Sequence, residues 1–189
     1  EEHYPELSPN LVKANFLRIR LEELFGEEPF AIIGNFPYNI SSQILFKMLD
    51  YRAQVPELVG MFQKEMAERV VAKPGGKEYG VISVLVQSYY EGELLFSVKK
   101  GSFNPPPKVK SAVIHLSRKA ETELGCDEKL FRAVVKQAFS QRRKMLRNTM
   151  KTFMKGDAIL KKDFFRQRPE RLSVEDFVQL TNWVEERLK

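Results

Sequence analysis

Four consecutive residues, Asn35-Phe36-Pro37-Tyr38, have types and a spacing from which chemistry could be built. The carboxamide oxygen of Asn35 and a neighbouring backbone carbonyl form an acceptor pair, which suits the two hydrogens of an exocyclic amine. The 6-amino group of adenine is a demanding case. Its lone pair is delocalised into the ring, so it is a poor nucleophile until two acceptors favour a pyramidal nitrogen. Pro37 fixes the backbone and brings no competing donor. Tyr38 offers a ring on which a flipped-out base can stack. An in-line attack on a methyl group then needs no covalent enzyme intermediate, and the rate comes from orientation and desolvation. The same four residues also make an ordinary strand-ending turn, and the motif alone does not separate the two readings.

A second feature is charge. The net charge of +6 is unevenly spread: residues 1–118 hold 14 basic and 14 acidic residues, and residues 119–189 hold 17 and 11. From Lys129 to Gly156 there are nine basic residues and no acid. Such a block points to a polyanion-binding face, most often for nucleic acid, with a solvated basic helix surface as the alternative. If residues 143–155 form one helix, Arg143, Arg147 and Lys151 share a face at i, i+4 and i+8.

The elements that must position these residues follow from periodicity. Residues 10–16 read as a short strand. Phe30-Ala31-Ile32-Ile33-Gly34 is a continuous apolar run, the pattern of a strand buried on both faces, and the Asn35 motif stands at its carboxyl end. Ser41 or Ser42 can cap a following helix with Ile44, Leu45, Met48 and Leu49 inward. Residues 58–62 read as a second buried strand and residues 65–72 as a helix ended by Pro74-Gly75-Gly76. Residues 79–89 fit a helix better than a strand. Residues 91–99 and 111–118 read as strands, separated by Phe103-Asn104-Pro105-Pro106-Pro107-Lys108, a rigid extended loop. After a polar linker at 119–125 the chain reads as all helix. Leu130, Phe131, Val134, Val135, Ala138 and Phe139 form one apolar face, and Phe177, Leu180, Trp183 and Val184 form another. The first part is thus an α/β sheet, which binds ligands at the carboxyl ends of its strands, and the second a small helical lobe.

Composition removes several classes. At 189 residues, 43% hydrophobic and 30% charged, the chain can bury a core without staples. One cysteine, Cys126, and two histidines exclude an internal disulfide and a cysteine-based zinc site, and suit a reducing cytoplasm. No apolar run approaches a membrane span, and the acidic start is not a secretory signal.

Four motifs in order carry a family resemblance: Ile33 to Ser42, Met61-Phe62-Gln63-Lys64-Glu65 with Tyr79-Gly80, Phe103 to Ala112, and Gln137 to Lys144 with Arg147-Asn148. Over roughly residues 10–189 the chain resembles the small-subunit rRNA adenine dimethyltransferases. The resemblance implies a partial Rossmann-like class I methyltransferase sheet over 1–118 and a small all-helical C-terminal rRNA-binding domain over 119–189. It implies dimethylation of two adjacent adenines near the 3′ end of small-subunit rRNA during ribosome assembly. The donor would be S-adenosylmethionine, the partner the pre-30S subunit, and the protein a monomer. Asn35, Pro37, Tyr38 and Phe103 would hold the target adenine. Asn15, Asn35 and Phe36 would border the donor. Arg142, Arg143, Lys144, Arg147 and Lys151 would meet RNA phosphates, and no metal is implied.

The sequence departs from the family pattern at two places. No Gly-x-Gly-x-Gly occurs in these residues, and the acid that grips the donor's ribose has no counterpart. Both should precede Glu1, so the chain reads as part of a longer protein, inactive by itself. Asn15 stands where the family has an acid; it keeps an acceptor oxygen and loses the charge. Two other readings compete: an RNA-binding assembly factor with little or no methyl transfer, and a large-subunit rRNA methyltransferase conferring antibiotic resistance. The Phe-Asn-Pro-Pro-Pro-Lys-Val run and the Gln-Arg-Arg-Lys segment favour the small-subunit enzyme.

Overall fold

The computed structural model describes residues 5–156 and 158–188. A 3-10 turn over Pro5–Asn10 leads into an irregular stretch and then the single-turn helix α1 (Glu22–Phe25). Strand β1 (Ile32–Asn35) ends in the 3-10 turn Tyr38–Ile40, which runs directly into α2 (Ser41–Asp50). Next come β2 (Glu57–Gln63), α3 (Lys64–Val71) and α4 (Val81–Gln87), and then the antiparallel pair β3 (Tyr90–Val98) and β4 (Ser111–Arg118). Among the described residues the sheet has four strands in the order β1-β2-β4-β3. The first pair is parallel, as a crossover through α2 requires, and the rest is antiparallel.

The strand pattern sets the layers. On β2 and β4 the buried positions alternate, Leu58, Gly60 and Phe62 beside Ala112, Ile114 and Leu116. These join Leu45, Met48 and Leu49 of α2 and Val84 and Val86 of α4 in the core. The other face, carrying Val59, Met61, Val113 and His115, is only half-buried. Ile33 is 81% exposed, so β1 is not buried on both faces as its apolar run suggests. An apolar run is ambiguous on this point, because Ile33 could have been a core residue or an uncovered one.

The helical part opens with α5 (Glu128–Phe139), whose Asp127 carboxylate caps Leu130 N–H at 2.7 Å. Its Phe131, Val134, Val135 and Ala138 belong to the same continuous core as the sheet residues. Two ion pairs reinforce the join to the sheet part, Arg52–Glu128 at 2.5 Å and Arg132–Asp50 at 3.2 Å. The last helix, α8 (Val174–Leu188), packs back along α5. Its start is fixed by a reciprocal cap: Asp176 N–H donates to Ser173 Oγ at 3.2 Å, and Ser173 N–H donates to Asp176 Oδ2 at 2.9 Å.

Two expected elements take other forms. Residues 10–16 are not a strand. Asn15 draws the chain into a turn: its carbonyl accepts from Arg18 N–H and Ile19 N–H, and its side chain accepts from Leu17 N–H at 3.0 Å. Such local bonds from asparagine compete with extended structure. Residues 143–155 are not one helix either. They hold two single turns, α6 (Leu146–Thr149) and α7 (Lys151–Met154), after a tight turn in which Lys144 N–H meets Gln141 carbonyl. Leu146 N–H is taken by Gln167 carbonyl, and the Gln137 carboxamide donates to the Thr149 carbonyl at 2.7 Å, so long-range partners replace helix continuation. The i, i+4, i+8 stripe of Arg143, Arg147 and Lys151 therefore does not exist as a helix face.

Candidate active site and basic groove

The cavity at the carboxyl end of β1 is built around one side chain. Gly34 and Gly60 face each other across the β1–β2 ladder, and the absence of both side chains leaves a notch on the buried face. The Phe36 ring fills it. A Cβ built on Gly60 would stand 2.2 Å from the ring, and one on Gly34 would stand 2.7 Å from it. The ring also tilts onto Phe62, centroids 5.2 Å apart at 49°, while Phe36 N–H donates to Met61 carbonyl at 3.3 Å. With Phe36 held on the sheet, the residues on either side of it, Asn35 and Pro37, are carried to the cavity wall.

That wall is what the sequence reading asked for. Asn35, Phe36, Pro37 and Tyr38 line one side, and Phe103, Pro105 and Pro107 line the other, around a volume of about 360 Å³. Asn35 is exposed, and among the described residues nothing hydrogen-bonds its carboxamide. The Tyr38 ring is half-buried and its hydroxyl meets the Ser111 hydroxyl. The proline loop, which includes a cis Asn104–Pro105 bond, is held at its base by the Lys100 ammonium donating to Lys108 carbonyl. Asn35, Pro37, Tyr38 and Phe103, about 68 residues apart at the extremes, thus share one open, aromatic-walled space.

The three residues expected to border a methyl donor are treated differently. Asn35 fits such a group, since its carboxamide is free at a strand's carboxyl end. Phe36 lends the cavity only part of its ring, the rest being packed in the notch. Asn15 lies outside this cavity, and its side-chain oxygen already accepts from Leu17. Its loop is pinned to α2 by the Lys47 ammonium, which donates to Phe16 carbonyl at 2.6 Å and to Ile19 carbonyl. Burial pushes the Lys47 pKa below the ordinary lysine value, opposed by the nearby Glu22 carboxylate.

The basic residues also divide. Arg142 is half-buried and its guanidinium donates to the carbonyls of Gly76, Lys77 and Tyr79, the last at 2.8 Å. It ties the helical part to the loop before α4. Arg143 and Lys144 are exposed on the turn. Arg147 and Lys151 instead line a groove of about 820 Å³ together with Lys155, Lys161 and Arg166. Arg166 pairs with Asp163 at 3.0 Å. Lys161 and Arg166 escaped sequence reading because the turns that bring them over α6 and α7 carry no periodic signal. A second basic feature was legible and passed over: residues 94–120 contain six lysines and arginines and no acid. Lys100 and Lys108 in that stretch flank the cavity-lining Phe103 and Pro107.

The glycine notch generates a direct test. Gly60→Ala forces the rings of Phe36 and Phe62 apart and costs about 1–3 kcal/mol, as overpacking does. Denaturant unfolding reads that loss. In a Phe36→Ala background, where the notch is empty, the same Gly60 substitution costs much less. Equal costs in both backgrounds would mean that Phe36 does not occupy the notch.

Residues 6–186 match the family model described as ribosomal RNA adenine dimethylase. Proteins named ribosomal RNA small subunit methyltransferase A are similar along the whole chain. The one from Phocaeicola vulgatus is 53% identical over 189 residues, which cover all of this chain and 68% of that protein. The one from Bacteroides thetaiotaomicron is 54% identical, again over all of this chain and over 71% of that protein. Among solved structures, a dimethyladenosine transferase from Plasmodium falciparum superposes with a TM-score of 0.79 at 24% identity, covering 93% of this chain and 72% of that one. The 23S rRNA methyltransferase ErmE superposes with a TM-score of 0.67 at 21% identity, covering 97% of this chain and 77% of that one. These two likenesses establish the fold, that of the class I methyltransferases. The chain belongs to the ribosomal RNA adenine dimethylase family.

Proposed function

We propose that this chain carries the adenine-binding site and an RNA-binding surface of an enzyme that dimethylates adenines of small-subunit rRNA, with S-adenosylmethionine as donor. The observation that carries the reading is the single cavity joining Asn35, Pro37 and Tyr38 to Phe103. Its occupant is a flipped-out adenine, stacked between Tyr38 and the Phe103 side. The relatives at 53–54% identity bear small-subunit names, which favours that target over large-subunit rRNA. The likeness to the 23S enzyme concerns the fold alone. The pre-30S particle is the partner that chemistry implies, and the cytoplasm is where it occurs; among the described residues no helix is long and apolar enough to cross a membrane.

The chemistry follows from the chain's own groups. S-adenosylmethionine supplies an electrophilic methyl group when bound, with Asn35 and the exposed part of Phe36 on its border. The Asn35 oxygen and a backbone carbonyl of the turn accept the two amine hydrogens and favour a pyramidal nitrogen, whose lone pair is then less delocalised into the ring. The aromatic walls fix the base and exclude water from its face, so the rate gain is one of orientation. Two rounds on one nitrogen need room for a methyl already present, and the open cavity provides it.

We assign the helical part, residues 119–189, the role of an rRNA-binding domain packed on the catalytic part, residues 1–118. Arg147 and Lys151 in the groove, with Lys155, Lys161 and Arg166, meet RNA phosphates, and Arg143 and Lys144 stand exposed on the turn leading into it. Arg142 keeps the two parts together through its carbonyl bonds rather than reaching RNA.

Two measurements on the protein as it occurs in the cell test these assignments. Asn35→Ala removes methyl transfer to small-subunit rRNA, a loss of at least 10²–10³-fold by analogy with other preorganised hydrogen-bonding groups (~3–4 kcal/mol), while RNA affinity stays within about twofold. Near-normal turnover in the alanine variant would reduce Asn35 to a turn residue. The second measures RNA affinity across a salt series. Replacing both Arg147 and Lys151 with alanine flattens the slope of log affinity against log salt by roughly one to two units, at about 0.7–0.9 per phosphate contact. Arg142→Ala leaves the slope unchanged and lowers stability instead. An unaltered slope in the double variant would place the RNA elsewhere.

A further inference from the structure

Ser111 is fully buried, polar, and unused in the chemistry above. It is the first residue of β4, and the ladder fixes it from both sides: it pairs with Gln63 of β2 and with Val98 of β3. Few points in the sheet are held by three strands at once and also lie at the strand ends where the cavity opens. Its hydroxyl meets the hydroxyl of Tyr38. Tyr38 begins a three-residue 3-10 turn, and its carbonyl accepts from the Ser41 hydroxyl at 3.2 Å. Nothing else among the described residues hydrogen-bonds the far end of its ring. Without an anchor there, rotation about the Cα–Cβ bond would let the ring swing across the cavity. With it, the ring is held at both ends.

The same serine closes the proline loop. Phe103, Pro105 and Pro107 form the opposite wall, and the loop that carries them re-enters the sheet at Ser111. Next to it, Lys64 N–H donates to Lys110 carbonyl at 2.9 Å, which fastens the loop's end to the start of α3. The hydroxyl link therefore joins the Tyr38 wall to the point where the loop of the opposite wall re-enters the sheet.

We propose that Ser111 is a positioning residue for base methylation: its hydroxyl fixes where the far end of the Tyr38 ring sits, and so the stacked adenine, relative to the Phe103 wall. This rests on the reading of the cavity as an adenine site. Ser111 touches neither base nor donor and acts only through Tyr38.

The role predicts coupling. The test is steady-state methylation of undermethylated small ribosomal subunits by the whole protein, comparing wild type, Ser111→Ala, Tyr38→Phe and the double variant. Ser111→Ala lowers kcat about threefold to tenfold, the range for one neutral hydrogen bond. KM for S-adenosylmethionine is unchanged, because the donor's contacts are not involved. Tyr38→Phe, which keeps the ring and removes its hydroxyl, gives a similar loss, and the double variant is no worse than either single one. A merely structural serine would lower the melting temperature while leaving kcat per folded molecule intact, and that outcome overturns the proposal. So do losses that multiply in the double variant, since independent effects cannot run through a shared bond. If wild-type protein fails to methylate the subunits at all, the reading of the cavity is what fails; if wild type is active and Ser111→Ala matches it, the failure is Ser111's alone.

Discussion

The site depends on an aromatic ring wedged into a space from which two side chains are missing. Phe36 lies over Gly34 and Gly60, and the residues on either side of it in sequence are Asn35 and Pro37. A strand-ending turn would ordinarily be free to choose among several conformations, each ordered residue costing about 1–2 kcal/mol of backbone entropy. Here burial of a phenyl ring against the sheet, worth roughly 1.5–3 kcal/mol, selects one of them. The acceptors that must meet an amine are therefore placed by packing, before any ligand arrives. This matters for a reaction whose catalysis is orientation: what the protein contributes is a geometry, and the geometry is stored in the core.

The second wall is placed by different means. The loop carrying Phe103 is stiffened by three prolines and tied at its base by Lys100. It rejoins the sheet at Ser111, beside the carboxyl end of β2, because β4 runs antiparallel to β2 and so begins where β2 ends. The antiparallel tail of the sheet is what lets a loop from late in the chain reach a cavity opened by the first strand. The helical part then adds charge at a distance. Its core is continuous with that of the sheet, so the basic groove is held in a fixed position with respect to the cavity.

Much of this was legible in the sequence, and the failures have physical reasons. β4 follows from alternating residues, and α2 and α5 from their apolar faces; these and β3 agree with the structure to within a residue or two. The Asn35 motif was legible because each residue type has a chemical purpose, Phe103 came only through the family resemblance, and the cavity brings them together. The Phe36 notch was not legible, since it depends on Gly34 and Gly60 lying opposite each other in a register that no local pattern gives. The cationic stripe failed for the converse reason. Residues 143–155 have helical spacing, but Gln137 and Gln167 capture backbone groups that a continuous helix would have used. Arg147 and Lys151 stay together, while Lys161 and Arg166 arrive from 3-10 turns whose positions only tertiary packing sets. Arg142 shows the limit of counting charges: a guanidinium bonded to three carbonyls contributes to cohesion, and the sequence does not distinguish it from its exposed neighbours.

The central claim is that the cavity wall proposed to hold adenine is formed in the absence of RNA because Phe36 is locked to the sheet. Amide hydrogen exchange at Phe36, followed by NMR on the ligand-free protein, addresses it most directly. Its N–H donates to the carbonyl of Met61, so its exchange reports the opening of the turn that seats the ring in the notch. The account predicts protection close to that of the β1–β2 ladder amides, with an opening free energy near that of global unfolding. Exchange at the rate of an exposed loop would contradict it, and would mean that the turn is ordered by its ligand rather than by the glycine pair beneath it.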